Sequence, residues 1–307
     1  MIIPLSRENE LLTTHTPPGP IVTLTCGCLE AELHPALGAR IGSLRRQGEI
    51  GAPFDYLVPI DATRFDLHRW QRAGCFAMVP FTNKLPDNTL VWHDEVVHVA
   101  APGASGWLHG WGLRSPWRVV EASRTHCVMT HAVTATEAWP WAYRADLHVT
   151  LDAEGLSMSL VVLNSSAKPM PLGVGFHPYF SIANETLATV EATARWQAST
   201  ASESLPAIRE SLDEPLRLHL RHDALPDHTL TWFCETPCAR ATIDYPQAGR
   251  RMTLTSDEAR HLVVHYRAGE RFLCIEPCTH LAGMLDPAVN VALPGTLVTM
   301  GMRLRLE

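Results

Sequence analysis

Apolar and polar residues alternate with a period of two in stretch after stretch of this chain, and that pattern commits it to β-sheet. Leu147, Val149 and Leu151 alternate with Asp146, His148 and Thr150. Leu156, Met158, Leu160 and Val162 alternate with Ser157, Ser159 and Val161. Near the C-terminus Val298, Met300, Met302, Leu304 and Leu306 face one way, and Thr299, Arg303 and Arg305 the other. Each run reads as a strand with one face in a core and one in wetter surroundings. Turn chemistry separates the runs, as at Pro17-Pro18-Gly19-Pro20, Pro86-Asp87-Asn88, Asp152-Ala153-Glu154-Gly155 and Arg267-Ala268-Gly269-Glu270. The 23 prolines and 19 glycines are spread widely and leave little room for long helices; Arg64 to Arg72 is the early segment that reads as a helix. The expected fold is all-β, one large antiparallel domain over residues 1–307, built as two packed sheets or a barrel.

Charge and cysteine usage narrow the function. With 25 basic against 32 acidic residues the net charge is −7, which disfavours a nucleic-acid binder because such proteins carry a basic face. A small anionic substrate needs only local positive charge and stays open. The N-terminal Met1-Ile2-Ile3-Pro4-Leu5-Ser6-Arg7-Glu8 soon turns polar, with no basic start and apolar stretch of a signal peptide, and no apolar run is long enough to span a bilayer. The expectation is a cytoplasmic protein without membrane contact. Eight cysteines in 307 residues are too few for a disulfide scaffold. Cys234/Cys238 and Cys274/Cys278 have C-x3-C spacing rather than the C-x2-C of common zinc sites, so reduced buried thiols, with no metal, are the favoured reading.

Two distant segments carry candidate chemistry. Gly173-Val174-Gly175-Phe176-His177-Pro178-Tyr179-Phe180 sets a histidine between small residues and an aromatic-proline corner; Cys274-Ile275-Glu276-Pro277-Cys278 sets a carboxylate at the end of an apolar run. In an extended segment Phe272, Cys274 and Glu276 share one face, and Leu273 and Ile275 the other. Pro277 has no N–H to give, so pairing is expected to end near Glu276, and Pro178 is expected to turn the chain after His177. The glycines would allow close approach of backbone or ligand. A histidine and a carboxylate brought together can move two protons on one substrate, which is the equipment for opening and closing a sugar ring.

An ordered series of segments resembles the aldose 1-epimerases, the galactose-mutarotase-like enzymes, from about Gly38 to the C-terminus. They are Gly38-Ala39-Arg40-Ile41-Gly42-Ser43-Leu44, then Gly74-Cys75-Phe76-Ala77-Met78-Val79-Pro80-Phe81-Thr82-Asn83-Lys84-Leu85, then Leu108-His109-Gly110-Trp111-Gly112 with Trp117 beyond it. Gly175-Phe176-His177-Pro178-Tyr179-Phe180, Pro226-Asp227-His228 and Ile275-Glu276-Pro277 follow. The resemblance implies a large β-sandwich, or supersandwich, with an open sugar cleft across one sheet. It implies that His177 is the general acid and Glu276 the general base, that His109 and Asp227 hold sugar hydroxyls, and that Asn83 and Lys84 lie in the same cleft. It implies no cofactor, and a monomer or homodimer acting on a small sugar. Two positions depart from the family pattern. Lys84 stands where arginine is usual, exchanging a planar fork for a mobile point charge. Phe176 stands where the best-studied galactose mutarotases carry asparagine. Both mark a divergent branch whose sugar differs.

The chemistry agrees with these roles. Ring opening of a hemiacetal takes a proton from O1 and puts one on O5, and each positioned donor or acceptor is worth ~10²–10⁴-fold in rate. His177 would need to be protonated and Glu276 ionised, with Asp227 favouring the imidazolium and some exposure favouring the carboxylate. The alternatives are a hexose-6-phosphate 1-epimerase, with phosphate contacts drawn from Arg40, Arg45, Arg46, Arg64, Arg69 and Arg72, and a non-catalytic sugar-binding module, which would not need both His177 and Glu276. Among Trp107, Trp111, Trp117, Trp139 and Trp141, one or two at most are expected as sugar platforms, because tryptophan is more often core or rim packing.

Overall fold

The computed structural model describes residues 19–48, 52–65, 71–93, 95–99, 108–199 and 202–307. The period-two runs become strands, and among the described residues short 3-10 turns are the only helical structure. The larger sheet has eleven strands. From edge to edge it runs Val22–Cys26, Leu29–His34, Arg40–Arg46, Cys75–Met78, Gly175–Ser181, Phe272–Cys278, His261–Tyr266, Leu230–Glu235, Ala194–Ser199 and Ser202–Ser211, with Phe54–Asp55 paired to Arg40–Arg46. The second sheet has nine: Leu216–Arg221, Glu185–Glu191, Ala239–Tyr245, Arg250–Ser256, Leu297–Leu306, Gly155–Asn164, Tyr143–Asp152, His126–Val133 and Arg118–Ala122. Every strand pairing in both sheets is antiparallel, and no pairing joins the two edge strands of either sheet among the described residues, so the fold is a β-sandwich rather than a closed barrel.

The alternation decides which side chains meet between the sheets. Leu147, Val149, Leu156, Leu160, Met300 and Leu304 of the smaller sheet join Cys75, Ala77, Phe176, Phe180, Leu273 and Ile275 of the larger one in a single apolar core. Their sequence neighbours point the other way. Phe76, Met78, Tyr179, Phe272, Cys274 and Cys278 form a second cluster on the outer face of the larger sheet. The central strands are therefore buried on both faces, and the segment Phe272–Cys278 is buried at every residue. Such strands read as continuous apolar runs, and a polar group among them sits where water is scarce.

The early helix expected over Arg64–Arg72 falls largely outside the described residues. Its start, Arg64, ends a short 3-10 turn over Ala62–Arg64 capped by the Asp61 side chain, and Phe65 is already extended. Two expected strand ends are corrected. Pairing runs on through Pro277 to Cys278, with Leu262 opposite Pro277, and Pro178 lies inside the strand Gly175–Ser181 rather than at a corner. The ladder between these two strands is recorded at Gly175↔Cys278 and Tyr179↔Cys274 and lapses between them. That gap contains both prolines, which have no N–H to contribute.

Candidate active site

The register brings His177 and Glu276 together. With Gly175 opposite Cys278 and Tyr179 opposite Cys274, His177 falls directly opposite Glu276 on the neighbouring strand. Directly opposed residues hold their Cβ atoms about 4.5–5.5 Å apart. The side chains meet accordingly: His177 Nε2 lies 3.4 Å from Glu276 Oε1, both nearly sealed from solvent. They line a cavity of about 310 Å³ on the outer face of the larger sheet, at the small end of the ~300–1,000 Å³ typical of ligand pockets. A wider cleft of about 790 Å³ opens elsewhere, beside Glu95–His98 and Thr136–Pro140. Its ionisable groups Glu95, His98 and Glu137 are all exposed, so it lacks the buried acid–base pair that chemistry needs.

Aromatic packing fixes the histidine. The Tyr179 ring stacks on it at 4.5 Å and 18°, the Phe76 ring lies 4.8 Å away, and the His109 ring meets it edge-on at 5.0 Å. Arg40 supports Phe76 from beneath. Its guanidinium is fully buried between the Phe76 and Phe65 rings, at 4.5 and 4.9 Å, and donates to the Ala73 carbonyl at 2.9 Å.

Asn83 and His109 are clasped backbone to ring. The His109 N–H donates to the Asn83 carbonyl at 2.9 Å, and the Asn83 N–H donates to His109 Nδ1 at 3.0 Å. Both residues have positive φ, 56° and 65°, a conformation that asparagine and histidine adopt more readily than most. Burial pushes His109 down to about 3, with Arg114, His265 and Arg40 adding to the effect. The ring is therefore neutral near pH 7, and because Nδ1 accepts, the proton sits on Nε2. One shell further out, His280 Nε2 accepts from the Thr82 N–H at 2.9 Å, while its Nδ1 lies 2.8 Å from the Leu281 carbonyl. This holds the turn that carries Asn83.

Burial drives both members of the pair away from charge. Desolvation pushes His177 well below the ordinary histidine value, helped by His109, His265 and Arg40, and pushes Glu276 well above the ordinary carboxylate value. Both shifts favour a neutral imidazole beside a carboxylic acid, with one titratable proton between them. The expected imidazolium–carboxylate holds the same number of protons in its charged arrangement. Neither device expected to favour charge is present. Glu276 is 3% exposed, and Asp227 is far from burial.

Asp227 stands apart from the other expected site residues. Its side chain is fully exposed, lies 3.3 Å from His228 Nδ1, and is not among the described residues lining the cavity. It sits in the loop before the strand Leu230–Glu235, where solvation costs nothing. Asn83, Lys84, His109, His177 and Glu276 all line the cavity. Of the six arginines considered as phosphate contacts, only Arg72 reaches it among the described residues. Arg40 is sealed beneath Phe76, Arg45 pairs with Glu30 and Asp55, Arg46 bonds Tyr56 and Cys28, Arg64 pairs with Asp61, and Arg69 lies outside the described residues. Trp111, Trp117, Trp139 and Trp141 pack in or against the core; Trp107 lies outside the described residues. The aromatic walls of the cavity are instead Tyr179 and Phe272.

The profile of the family described as Aldose 1-epimerase matches residues 20–306. The chain belongs to the aldose 1-epimerase family. The Escherichia coli (strain K12) protein YphB is 25% identical over 252 residues, 76% of this chain and 84% of that protein. A solved structure from Escherichia coli K12 superposes with a TM-score of 0.79 at 22% identity, covering 94% of this chain and 99% of that one. A galactose mutarotase-like protein from Lactobacillus casei gives 0.76 at 19% identity, covering 94% and 100%. These structural likenesses establish the shared fold.

Sequence reasoning missed Thr231, His265 and Arg267 as lining residues of this family member, and His280 as a support; it had Arg72 only among six candidate arginines and Phe272 only as a residue on the Glu276 face. Period-two spacing puts His265 and Val263 on one face, and register pairs Val263 with Glu276, so these two needed only the strand order to be found. The donor atoms of His177, Cys274 and Glu276 lie within 4.8 Å of one another, a grouping with metal-ligand chemistry. Burial raises the Cys274 thiol well above its ordinary value, as it does the Glu276 carboxyl, so both hold protons that a cation would first have to expel. All eight cysteines are free thiols. No helix among the described residues is long and apolar enough to cross a membrane.

Proposed function

We propose that the protein is an aldose 1-epimerase, interconverting the α and β anomers of an aldose by proton transfer through His177 and Glu276. The observation that carries this reading is the buried 3.4 Å contact between His177 Nε2 and Glu276 Oε1 at the floor of the cavity. A binding module gains nothing from an acid and a base sealed together, since burying them costs free energy that only chemistry repays.

A pyranose hydroxyl entering the site comes between the two groups. Glu276 takes the proton from O1 and His177 gives one to O5; the ring opens, the C1–C2 bond rotates, and closure on the other face reverses both transfers. Because the pair holds one proton in total, each turnover ends with the proton inventory it began with. Burial makes the charged arrangement available only when a sugar's dipoles replace the missing solvent, so the transfers are coupled to binding. The His109 Nε2–H is a fixed donor for a sugar hydroxyl, and Asn83 offers an amide beside it. Tyr179 and Phe272 offer apolar faces to the ring's C–H bonds.

The test is anomer exchange measured by NMR saturation transfer on a panel of aldoses. Acceleration well above buffer for at least one sugar is expected. A protein that binds a sugar and accelerates none would refute the reading in favour of a binding module. The pH profile should be bell-shaped, because activity needs the singly protonated pair and is lost when the pair gains or loses a proton.

A further inference from the structure

The cavity is cationic in an anionic protein. Three basic side chains line it, Arg72, Lys84 and Arg267, and Glu276 is the one carboxylate on its wall among the described residues, although the chain as a whole carries −7. Neither Lys84 nor Arg267 has a carboxylate partner among the described residues, and Arg72 is answered by a half-exposed Glu270 at 3.5 Å. Lysine and arginine only donate, and a carboxylate or phosphate is an acceptor that satisfies several such donors at once. Asp227, exposed in its loop, is not among the described residues lining the cavity.

The strand register orders these charges along the cavity. Arg72 precedes the strand whose Cys75 pairs with Pro178, and Arg267 follows the strand whose Tyr266 pairs with Leu273. Asn83, Lys84 and His109 lie past the opposite ends, beyond Met78. His177 and Glu276 stand between the two groups. Val263 is opposite Glu276, so Arg267 lies four residues further along, roughly 13 Å at the β-strand rise. A guanidinium reaching back from there meets the end of a hexose remote from its anomeric carbon. His265, two residues from Val263, lies under the arginine end, with Nδ1 2.9 Å from Thr231 Oγ1. Both groups there offer hydrogen bonds to an oxyanion's surroundings.

We infer that the preferred substrate is an aldose carrying an anionic group, carboxylate or phosphate, at the end remote from C1, and that Arg267 with Arg72 recognises that group. The inference rests on the epimerase reading for its reaction and on the cationic end of the cavity for its substrate. An arginine fork matches a carboxylate or phosphate bidentately, and charge-assisted hydrogen bonds of this kind are about twice as strong as neutral ones. The arriving anion takes over Arg72 from Glu270, an exchange made easy by the exposure of that pair.

The experiment compares kcat/KM for anomer exchange of glucose, glucuronate and glucose 6-phosphate, with the parent protein, Arg267→Ala, Arg267→Lys and the Arg72→Ala/Arg267→Ala double variant. The parent should favour at least one anionic sugar by about tenfold or more, consistent with one charge-assisted contact. The preference should reside in KM, should fall with added salt, and should collapse toward unity in the double variant, with Arg267→Lys intermediate. Glucuronate and glucose 6-phosphate separate carboxylate from phosphate. Calorimetric binding of 1,5-anhydroglucitol and its 6-phosphate, whose rings cannot open, reads anion recognition without chemistry. If no sugar exchanges but the anhydro phosphate binds in an Arg267-dependent way, the epimerase reading falls and the anion site stands. Equal or better exchange of glucose than of both anions overturns the anion site and leaves the epimerase. An anionic preference that survives in the double variant overturns the assignment to these two arginines.

Discussion

Replacing Glu276 with Gln separates what the carboxyl does for catalysis from what its burial costs the fold. The amide has the same size and still reaches His177, but it cannot exchange a proton. Losing one positioned proton acceptor lowers exchange by ~10²–10⁴-fold, or about 3–5 kcal/mol of barrier. The stability effect has the opposite sign and a definite pH dependence. Burial raises the Glu276 carboxyl well above its ordinary 4.5. In the window between that value and the folded value, the folded protein keeps a proton that the unfolded chain has released. At this group the unfolded state then binds fewer protons, so the Glu276 contribution to stability falls as pH rises through the window, by at most about 1.4 kcal/mol per unit. The buried histidines contribute in the opposite direction, but equally in both proteins, and so drop out of the comparison. Gln has no proton to lose, so Glu276→Gln should gain on the parent progressively as pH rises above 4.5.

The assay is urea unfolding of both proteins at pH 5.5, 6.5 and 7.5, beside exchange NMR at each pH. Profiles that diverge with pH, together with lost exchange, are the expected result. Parallel profiles would mean that Glu276 is already ionised in the folded protein, refuting the neutral pair. Exchange that survives the substitution would remove Glu276 from the mechanism.

Three other perturbations follow from the same geometry. Burial holds His109 at about 3, and His131 and His280 at about 4. Lowered histidine values give stability that is complete above pH 6.5 and lost as pH falls toward the folded values. At pH 5 the three together cost about 6 kcal/mol, partly offset by Glu276, so denaturant midpoints should drop steeply below pH 6; a flat profile from 7 to 5 would contradict this burial. His280→Phe leaves the Thr82 N–H without its acceptor, which should cost about 1–3 kcal/mol of stability and raise KM more than it lowers kcat; an unchanged KM would exclude a positioning role. Gly110 has φ of 68°, and a methyl there would press into the Val79 carbonyl. Gly110→Ala should cost about 1–3 kcal/mol in urea unfolding and weaken sugar binding through the adjacent His109; full stability would show that the turn yields.

The fold was legible because period-two alternation is a backbone property, and Leu147–Leu151 or Val298–Leu306 could bury one face only as strands. The order of strands was not legible. Nothing local in the chain says that Cys75–Met78 lies beside Gly175–Ser181, or that Leu230–Glu235 ends up near the site. For this reason Asn83, His109, His177 and Glu276 came from motif order and Arg72 only as one of six candidate arginines, while His265 and Arg267 were visible only once the sheet was assembled. Asp227 was hard to judge for a related reason: an acidic residue in a polar loop carries no signal that distinguishes a ligand contact from solvation, and its side chain is exposed.

The prolines beside His177 and Glu276 lie within their strands instead of ending them, and this shapes the site. Pro178 and Pro277 lie inside adjacent central strands, flanking the point where His177 faces Glu276. A central strand normally excludes proline because a ladder hydrogen bond is lost. Here the ladder is recorded on both sides of the gap, at Gly175 and Tyr179, so the register is held while the pairing between is relaxed. The fold thus gives up ladder bonds where the opposed side chains of His177 and Glu276 meet. The buried Arg40–Phe76–His177 stack then holds the ring in place of the missing backbone ties. Aromatic packing, with the Tyr179 hydroxyl 3.5 Å from Nε2, fixes the His177 ring and keeps Nε2 within 3.4 Å of Glu276 Oε1.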